Sequence, residues 1–374
     1  MGVALHHHVA RGVPHDRLAP GDEGDSGMSN ERLQPIEIIG GGLAGLSLGV
    51  ALRRAGVPVT VFEAHGYPRH RVCGEFLTGL DESTTTRLGL APLLEDALRH
   101  HLVVWYQRDR PMRTQHLPAP ALGLSRHALD ARLAEAFVTA GGELRTDTRV
   151  PIEAAPAGRV FATGRLRHPS PWIGLKVHAC NLRLAGDLEV HLGDQAYVGL
   201  SGVEDGRINV CGLFRRRPAP PDEPVRPGAG LLLHYLDSSG LGGLAGRLRA
   251  AEIDETSFCA VAAMSFQHER PRPDRLQLGD SFAMPPPFTG NGMAMALQSA
   301  ALALEPLLAW TRGERSWPAS VATVNRRLHR RFRTRLASAY ALHPFLLEPR
   351  RQRWLALAGR ARLLPLRPFY HLTH

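Results

Sequence analysis

An α/β fold is predicted for this 374-residue chain: a parallel-sheet domain, a β-rich domain inserted into it, and a helical C-terminal region. Three observations predict it. A strand–glycine loop–helix–strand pattern stands near the start, in "PIEIIGGGLAGLSLGVALRRAGVPVTVFE". An alternating, turn-punctuated stretch, "AYVGLSGVEDGRINVCGLFRR", occupies the middle. A second glycine-punctuated strand–helix pattern, "LQLGDSFAMPPPFTGNGMAMALQSAALALEPLLAW", comes late.

In the first pattern, Ile36, Ile38 and Ile39 form a β-branched run suited to a buried parallel strand. Gly40, Gly42 and Gly45 then fit G-x-G-x-x-G. Leu43 and Ala44 open an apolar helix that ends near Gly56. A second strand ends at Glu63, 18 residues beyond Gly45. The first glycine permits the tight turn, the second lets backbone approach a pyrophosphate, and the third lets the helix pack on the strand. The helix N-terminus offers amide donors to that anion. Glu63 can accept from both ribose hydroxyls and would repel a 2′-phosphate. Strand, loop, helix, second strand and acid together predict a Rossmann-like dinucleotide site. A second glycine cluster, "GLGGLA" at 240–245, lacks a following strand and acid and is expected to be a loop.

Composition narrows the function. The formal charge is +10, and arginine carries nearly all of the positive charge because Lys176 is the only lysine. Aromatic content is only 6% and no nucleic-acid-binding signature occurs, so no nucleic-acid partner is expected. Cys73, Cys180, Cys211 and Cys259 are widely spaced with no CxxC pair, which argues against a metal site or a disulfide framework. No uninterrupted apolar run reaches about 18 residues. A cytoplasmic protein, peripheral at most to a membrane, is expected. Residues 1–32, with His6, His7 and His8, read as a disordered leader, and Met28 is an alternative start.

The late pattern distinguishes among dinucleotides. Leu276 and Leu278 end a strand, Gly279-Asp280 follow, and Gly290, Asn291 and Gly292 lead into a helix of small and apolar residues. With the early glycine loop, this resembles the flavoprotein superfamily of geranylgeranyl reductases and FAD-dependent, p-hydroxybenzoate-hydroxylase-like monooxygenases. The resemblance implies FAD, with Asp280 on the ribityl chain and the helix after Gly292 facing the flavin pyrimidine. It places Arg126, at the start of "RHALDARLAEAFVTAGGEL", against the cofactor. Aromatic hydroxylases of the superfamily carry an Asp-Gly pair where this chain has Thr163-Gly164. That departure speaks against the NAD(P)H-dependent hydroxylase reading; NAD(P)H or another electron donor is expected to reduce the flavin.

The stretch "YPRHRVCGEF", 67–76, follows the second strand, where relatives pass close to the flavin ring. Cys73 is the candidate catalytic residue there, as a weak acid or positioning group, with a buried structural thiol as the alternative. Flavin halogenases carry a comparable element, but Lys176 lies in a different motif from their catalytic lysine. The alternating stretch reads as a β-hairpin about Glu204-Asp205-Gly206. Relatives build a substrate wall from such a sheet, and Tyr197 is the candidate substrate residue on it. Val198, Leu200, Val210 and Leu213 line or back that wall.

The expected domains are 33–75, 121–170 and 271–315 for FAD, 76–120 and 171–270 for substrate, and 316–374 as the helical C-terminal region. The leading reaction is geranylgeranyl-reductase-like hydride transfer through flavin N5 to or from a hydrophobic small molecule. The alternatives are a monooxygenase of a secondary metabolite and a non-enzymatic flavin-binding or membrane-associated protein. Arginines interleaved with Leu, Phe and Trp in the last sixty residues suit a peripheral membrane or carrier-protein contact.

Overall fold

The structure is a computed structural model that describes residues 33–165, 168–217, 226–266 and 272–361, with 363, 370 and 372. The leader expected at 1–32 lies outside the described residues. The first sheet is all parallel. It comprises β1 (Ile36–Ile39), β2 (Val59–Phe62), β6 (Glu143–Arg145), β7 (Arg159–Phe161) and β13 (Leu276–Gln277), in the order β13-β7-β1-β2-β6. Late and early segments are therefore neighbours, and the inserted residues leave and rejoin one sheet.

Helix α1 (Leu43–Arg54) is buried over its first ten residues, which explains its lack of a polar face. It packs between the sheet, α3 (Arg126–Thr139) and α6 (Gly292–Thr311). A side chain at Gly49 would stand 2.9 Å from the Phe137 ring, so the α1–α3 contact uses that missing methyl. Helix α6 is long and apolar enough to cross a membrane, yet 72% of its apolar window is buried in the protein. Its alanines pack in the same core as Leu43, Leu46 and Leu48 of α1. Each fully buried leucine or isoleucine there contributes roughly 1.5–3 kcal/mol.

The second sheet has eight strands: β3 (Phe76–Leu77), β4 (Leu98–Gln107), β5 (Arg110–Gly123), β8 (Trp172–Cys180), β9 (Leu188–Gly193), β10 (Ala196–Gly202), β11 (Ile208–Arg215) and β12 (Glu252–Ala262). Their order is β12-β8-β11-β10-β9-β4-β5-β3. The β10–β11 hairpin pairs Ala196 with Phe214 and Gly202 with Ile208, turning at Glu204–Gly206 as its sequence requires. Alternation gives this sheet two different faces. Leu175, Val177, Val198, Leu200, Val210 and Phe214 meet helices α4 (Ala229–Ser238) and α5 (Gly242–Arg249). Trp172, Leu192, Tyr197 and Leu213 point the other way, towards α7 (Trp317–Leu347) and α8 (Pro349–Arg360).

Two expectations need correction. The "GLGGLA" stretch is not wholly a loop: it turns at Gly240 and enters α5 at Gly242, because Leu244, Ala245 and Leu248 bury one helical face. Residues 82–97, expected within the inserted domain, carry α2 (Glu82–Leu88) and pack into the core of the first sheet. Leu88, Leu90 and Leu94 supply the apolar side chains that draw them there.

Candidate active site

The glycine loop between β1 and α1 is closed by contact. Gly40 has φ +109°, and a side chain there would meet the Ala162 carbonyl at 2.2 Å. A side chain at Gly45 would meet the Gly40 carbonyl at 2.0 Å. Gly42 caps α1 with no side-chain hydrogen bond, leaving the amides of Leu43 and Ala44 at an uncapped helix start. A side chain at Gly42 would meet only the Arg126 guanidinium, at 3.9 Å, so that cation lies in contact range of the loop. Glu63 is buried at the end of β2, and its Oε2 accepts from the Gly41 amide at 2.8 Å. Tyr67 donates its hydroxyl to the Gly41 carbonyl.

Arg126 opens α3, whose N-terminus is capped by Ser125 Oγ accepting from Ala128 N at 3.0 Å. Its guanidinium forks onto the buried Asp130 carboxylate, with both bonds at 2.8 Å. Burial opposes its charge, but Asp130 more than offsets this and raises its pKa. Asp130 also accepts from Arg71 at 2.9 Å, and Arg71 reaches Glu63 at 3.8 Å. Glu63, Arg71, Asp130 and Arg126 thus form one chain of alternating charge along the loop.

The late motif closes the other side. Gly279 donates to Ser299 Oγ of α6 at 2.9 Å, and a side chain on it would stand 3.3 Å from the Ala44 methyl. The early and late glycine motifs therefore touch. Burial pushes the Asp280 carboxyl up, while Arg126 and Arg165 pull it down. Ser281 Oγ donates to the Gly164 carbonyl at 3.0 Å and lies 3.1 Å from Thr163 Oγ1. Gly290, at φ +68°, lies under Phe76: a side chain there would stand 2.3 Å from that ring. Asn291 Oδ1 accepts from Thr78 Oγ1 at 3.4 Å, and nothing stands within 4 Å of the open face of Gly292.

Between these motifs and the second sheet lies a buried ionic cluster that sequence reasoning missed. Glu75 and Lys176 are both 0% exposed, and Lys176 Nζ stands 3.3 Å from Glu75 Oε1. The same oxygen accepts from the Arg126 amide at 3.1 Å, and Oε2 lies 2.5 Å from His178 Nε2. Glu75 takes φ +54°, a left-handed conformation that costs a non-glycine residue on the order of 1 kcal/mol. Lys176 Nζ also lies 3.1 Å from His70 Nδ1. Burial, then the neighbouring Lys176 charge, lowers the His70 pKa to about 4. Ligand atoms of His70, His178 and Asp254 lie within 4.8 Å of one another, but a cation there would meet the Lys176 ammonium.

The signal for this cluster was present as alternation. In "WIGLKVHAC" the apolar positions face α4 and α5, so Lys176 and His178 must share the opposite face with Cys211 and Asn209, their cross-strand partners. Asp130 likewise stands four residues beyond Arg126, on the same side of one helix.

Cys73 adjoins the cluster. Its sulfur accepts from the Glu75 amide at 3.4 Å, and its carbonyl accepts from Asn209 Nδ2 at 3.0 Å. Burial raises the Cys73 pKa, so the group is a thiol and not a thiolate at neutral pH. Tyr197 is buried farther along the same sheet face, edge-on to Phe288 of the proline-rich turn before Gly290. Its hydroxyl lies 3.5 Å from His343 Nε2 of α7, and His343 stacks on Phe288. Leu213 shares this face with Tyr197, whereas Val198, Leu200 and Val210 back the sheet.

Residues 38–75 match the family described as an NAD(P)-binding Rossmann-like domain. A menaquinone reductase of Mycolicibacterium smegmatis is 29% identical over 132 residues, 34% of this chain and 32% of that protein's length. Among solved structures, Klebsiella pneumoniae HpxO complexed with FAD and uric acid superposes with a TM-score of 0.69 at 16% identity, covering 92% of this chain and 97% of that one. Pseudomonas aeruginosa PqsL in complex with 2-aminobenzoylacetate gives 0.67 at 18%, covering 88% and 99%. The p-nitrophenol 4-monooxygenase PnpA of Pseudomonas putida DLL-E4 gives 0.68 at 13%, covering 91% and 98%. The two-sheet α/β architecture is thus shared with these proteins over nearly the whole chain.

Proposed function

We propose that this chain, which has the fold of flavoprotein monooxygenases, is an FAD-dependent oxidoreductase acting on an apolar organic substrate. The convergence of Gly42, Arg126, Asp280 and Gly292 carries the reading. These residues come from four separate segments: the Arg126 guanidinium stands beside Gly42 and feels the Asp280 charge, and nothing lies within 4 Å of a side chain built at Gly292. The donors fit the cofactor. The α1 amides and Arg126 suit a pyrophosphate. Glu63 spends one oxygen on Gly41 and, among the described residues, Oε1 accepts no hydrogen bond, which leaves it for a ribose hydroxyl. FAD supplies two-electron redox and oxygen chemistry.

The chain's own residues orient the substrate and exclude water. Tyr197, Leu213, Phe288 and Met264 form an apolar wall where the second sheet meets the proline-rich turn. The Cys73 thiol and the Glu75–Lys176–His178 cluster stand beside the start of α3 on that face, through the Arg126 amide and Glu75. Structural likeness to PnpA supports monooxygenation as the first reading. Reduction of a hydrophobic substrate is the second reading, favoured by the stretch resembling menaquinone reductase and by Thr163 in place of an acid. The electron donor is NAD(P)H or a separate reductant.

The test begins with the absorption spectrum of the purified protein and the cofactor released on denaturation. FAD is expected; recovery of FMN alone, or no flavin after reconstitution, would sink the proposal. Turnover in labelled dioxygen then divides the two readings. Label in the product supports monooxygenation, and unlabelled reduced product supports reduction.

A further inference from the structure

Helix α8 has two apolar sides. Gln352, Ala356 and Gly359 face inward, and Ala356 packs in the cluster that contains Tyr197 and Leu213. Trp354 and Leu357, one turn apart, face outward at 72% and 57% exposure, and Leu363 follows at 75%. Two large apolar groups side by side on one exposed helix face mark an interaction surface. Arg350, Arg353 and Arg360 stand on the same outward side and, among the described residues, have no carboxylate partner. Arg351 reaches Glu348 at 2.7 Å and lies over the exposed Phe345 ring.

We propose that the outer face of α8 is a membrane-docking surface that inserts Trp354 and Leu357 into the headgroup region of an anionic bilayer. Tryptophan suits that boundary because its ring is apolar and its N–H is polar. Unpaired arginines beside it meet lipid phosphates, which hold bidentate hydrogen bonds well. The charge of the whole chain has the same sign, +10. An acidic protein partner would also meet the arginines and the tryptophan; the exposed amphipathic helix with arginines flanking its apolar side matches the pattern of a helix lying in a bilayer interface. The docking stands whether or not the substrate reading does. If both hold, the same helix contacts lipid on one side and the substrate wall on the other.

Co-sedimentation of the full-length protein with vesicles tests this. Phosphatidylglycerol-containing vesicles are expected to bind it at least about tenfold better than phosphatidylcholine alone, with binding weakened by salt. Trp354→Ser with Leu357→Ser, and separately Arg350→Gln with Arg353→Gln, should each lower binding on the order of tenfold. Circular dichroism and flavin content matching the parent would show that the variants fold. No binding to anionic vesicles would overturn the proposal, as would binding unaffected by both double substitutions. Capture by an acidic carrier protein without vesicle binding would reassign the face to a protein partner.

Discussion

Lys176 lies 3.3 Å from Glu75, and neither side chain is exposed to solvent. Burying two charges costs several kcal/mol each, and removing one partner leaves the other uncompensated. Glu75→Gln and Lys176→Met should therefore each destabilise the protein by about 3–5 kcal/mol. The double variant should lose less than the sum of the two. Urea denaturation of the four proteins measures this. Strictly additive losses would mean that the two charges do not depend on each other.

Glu63 spends one oxygen on the loop it helps to shape, through Gly41. Glu63→Gln keeps an oxygen that can still accept from that amide, whereas Glu63→Ala removes it. FAD affinity should fall by about 1–3 kcal/mol in the alanine variant and by less in the glutamine variant. Titrating apoprotein with FAD by fluorescence quenching reads both. Affinities equal to the parent would remove Glu63 from the site.

His343 is buried against Phe288 and Phe266, and burial lowers its pKa to about 4. Its unfolded value is about 6.5. The unfolded chain therefore binds more protons between those values, and stability rises with pH across that window. The stabilising contribution is complete above about 6.5, falls as pH drops, and is lost below about 4, with an upper bound of about 3 kcal/mol. His343→Asn should flatten the dependence of Tm on pH in that range. An unchanged slope would assign the acid sensitivity elsewhere, with His70 the next candidate.

The first sheet and its glycine loop were legible because their signals are local. Ile36, Ile38 and Ile39, the glycine triplet and Glu63 occupy one short stretch, and β1, α1 and β2 fall where those residues require. The second sheet was legible as a hairpin but not as an order of strands, since β4 beside β9 joins segments with no shared pattern. The charged cluster is harder still. His178 and Glu75 stand 103 residues apart, and only the fold shows that a strand charge and a loop charge are partners. Residues 82–97 carry too little periodicity to show which of two cores receives Leu88 and Leu90.

Cys73 offers the most direct test of the proposed chemistry. Its thiol is raised by burial and held by the Glu75 amide, so at neutral pH it can give a proton but is poorly placed to act as a nucleophile. Cys73→Ser keeps a small donor there, and Cys73→Ala removes it. If the thiol transfers a proton during turnover, the alanine variant should lose about 10²–10⁴-fold in kcat, because general acid assistance is worth that much. The serine variant should retain part of the rate, and both should keep FAD bound. Loss of only a few-fold in both variants would make Cys73 a positioning group. Full rate in both would leave it as packing beside Asn209 and Glu75, with the Glu75–Lys176–His178 cluster the next candidate donor. Glu75→Gln separates these outcomes, since a donor in the cluster predicts that this variant loses kcat where Cys73→Ala does not.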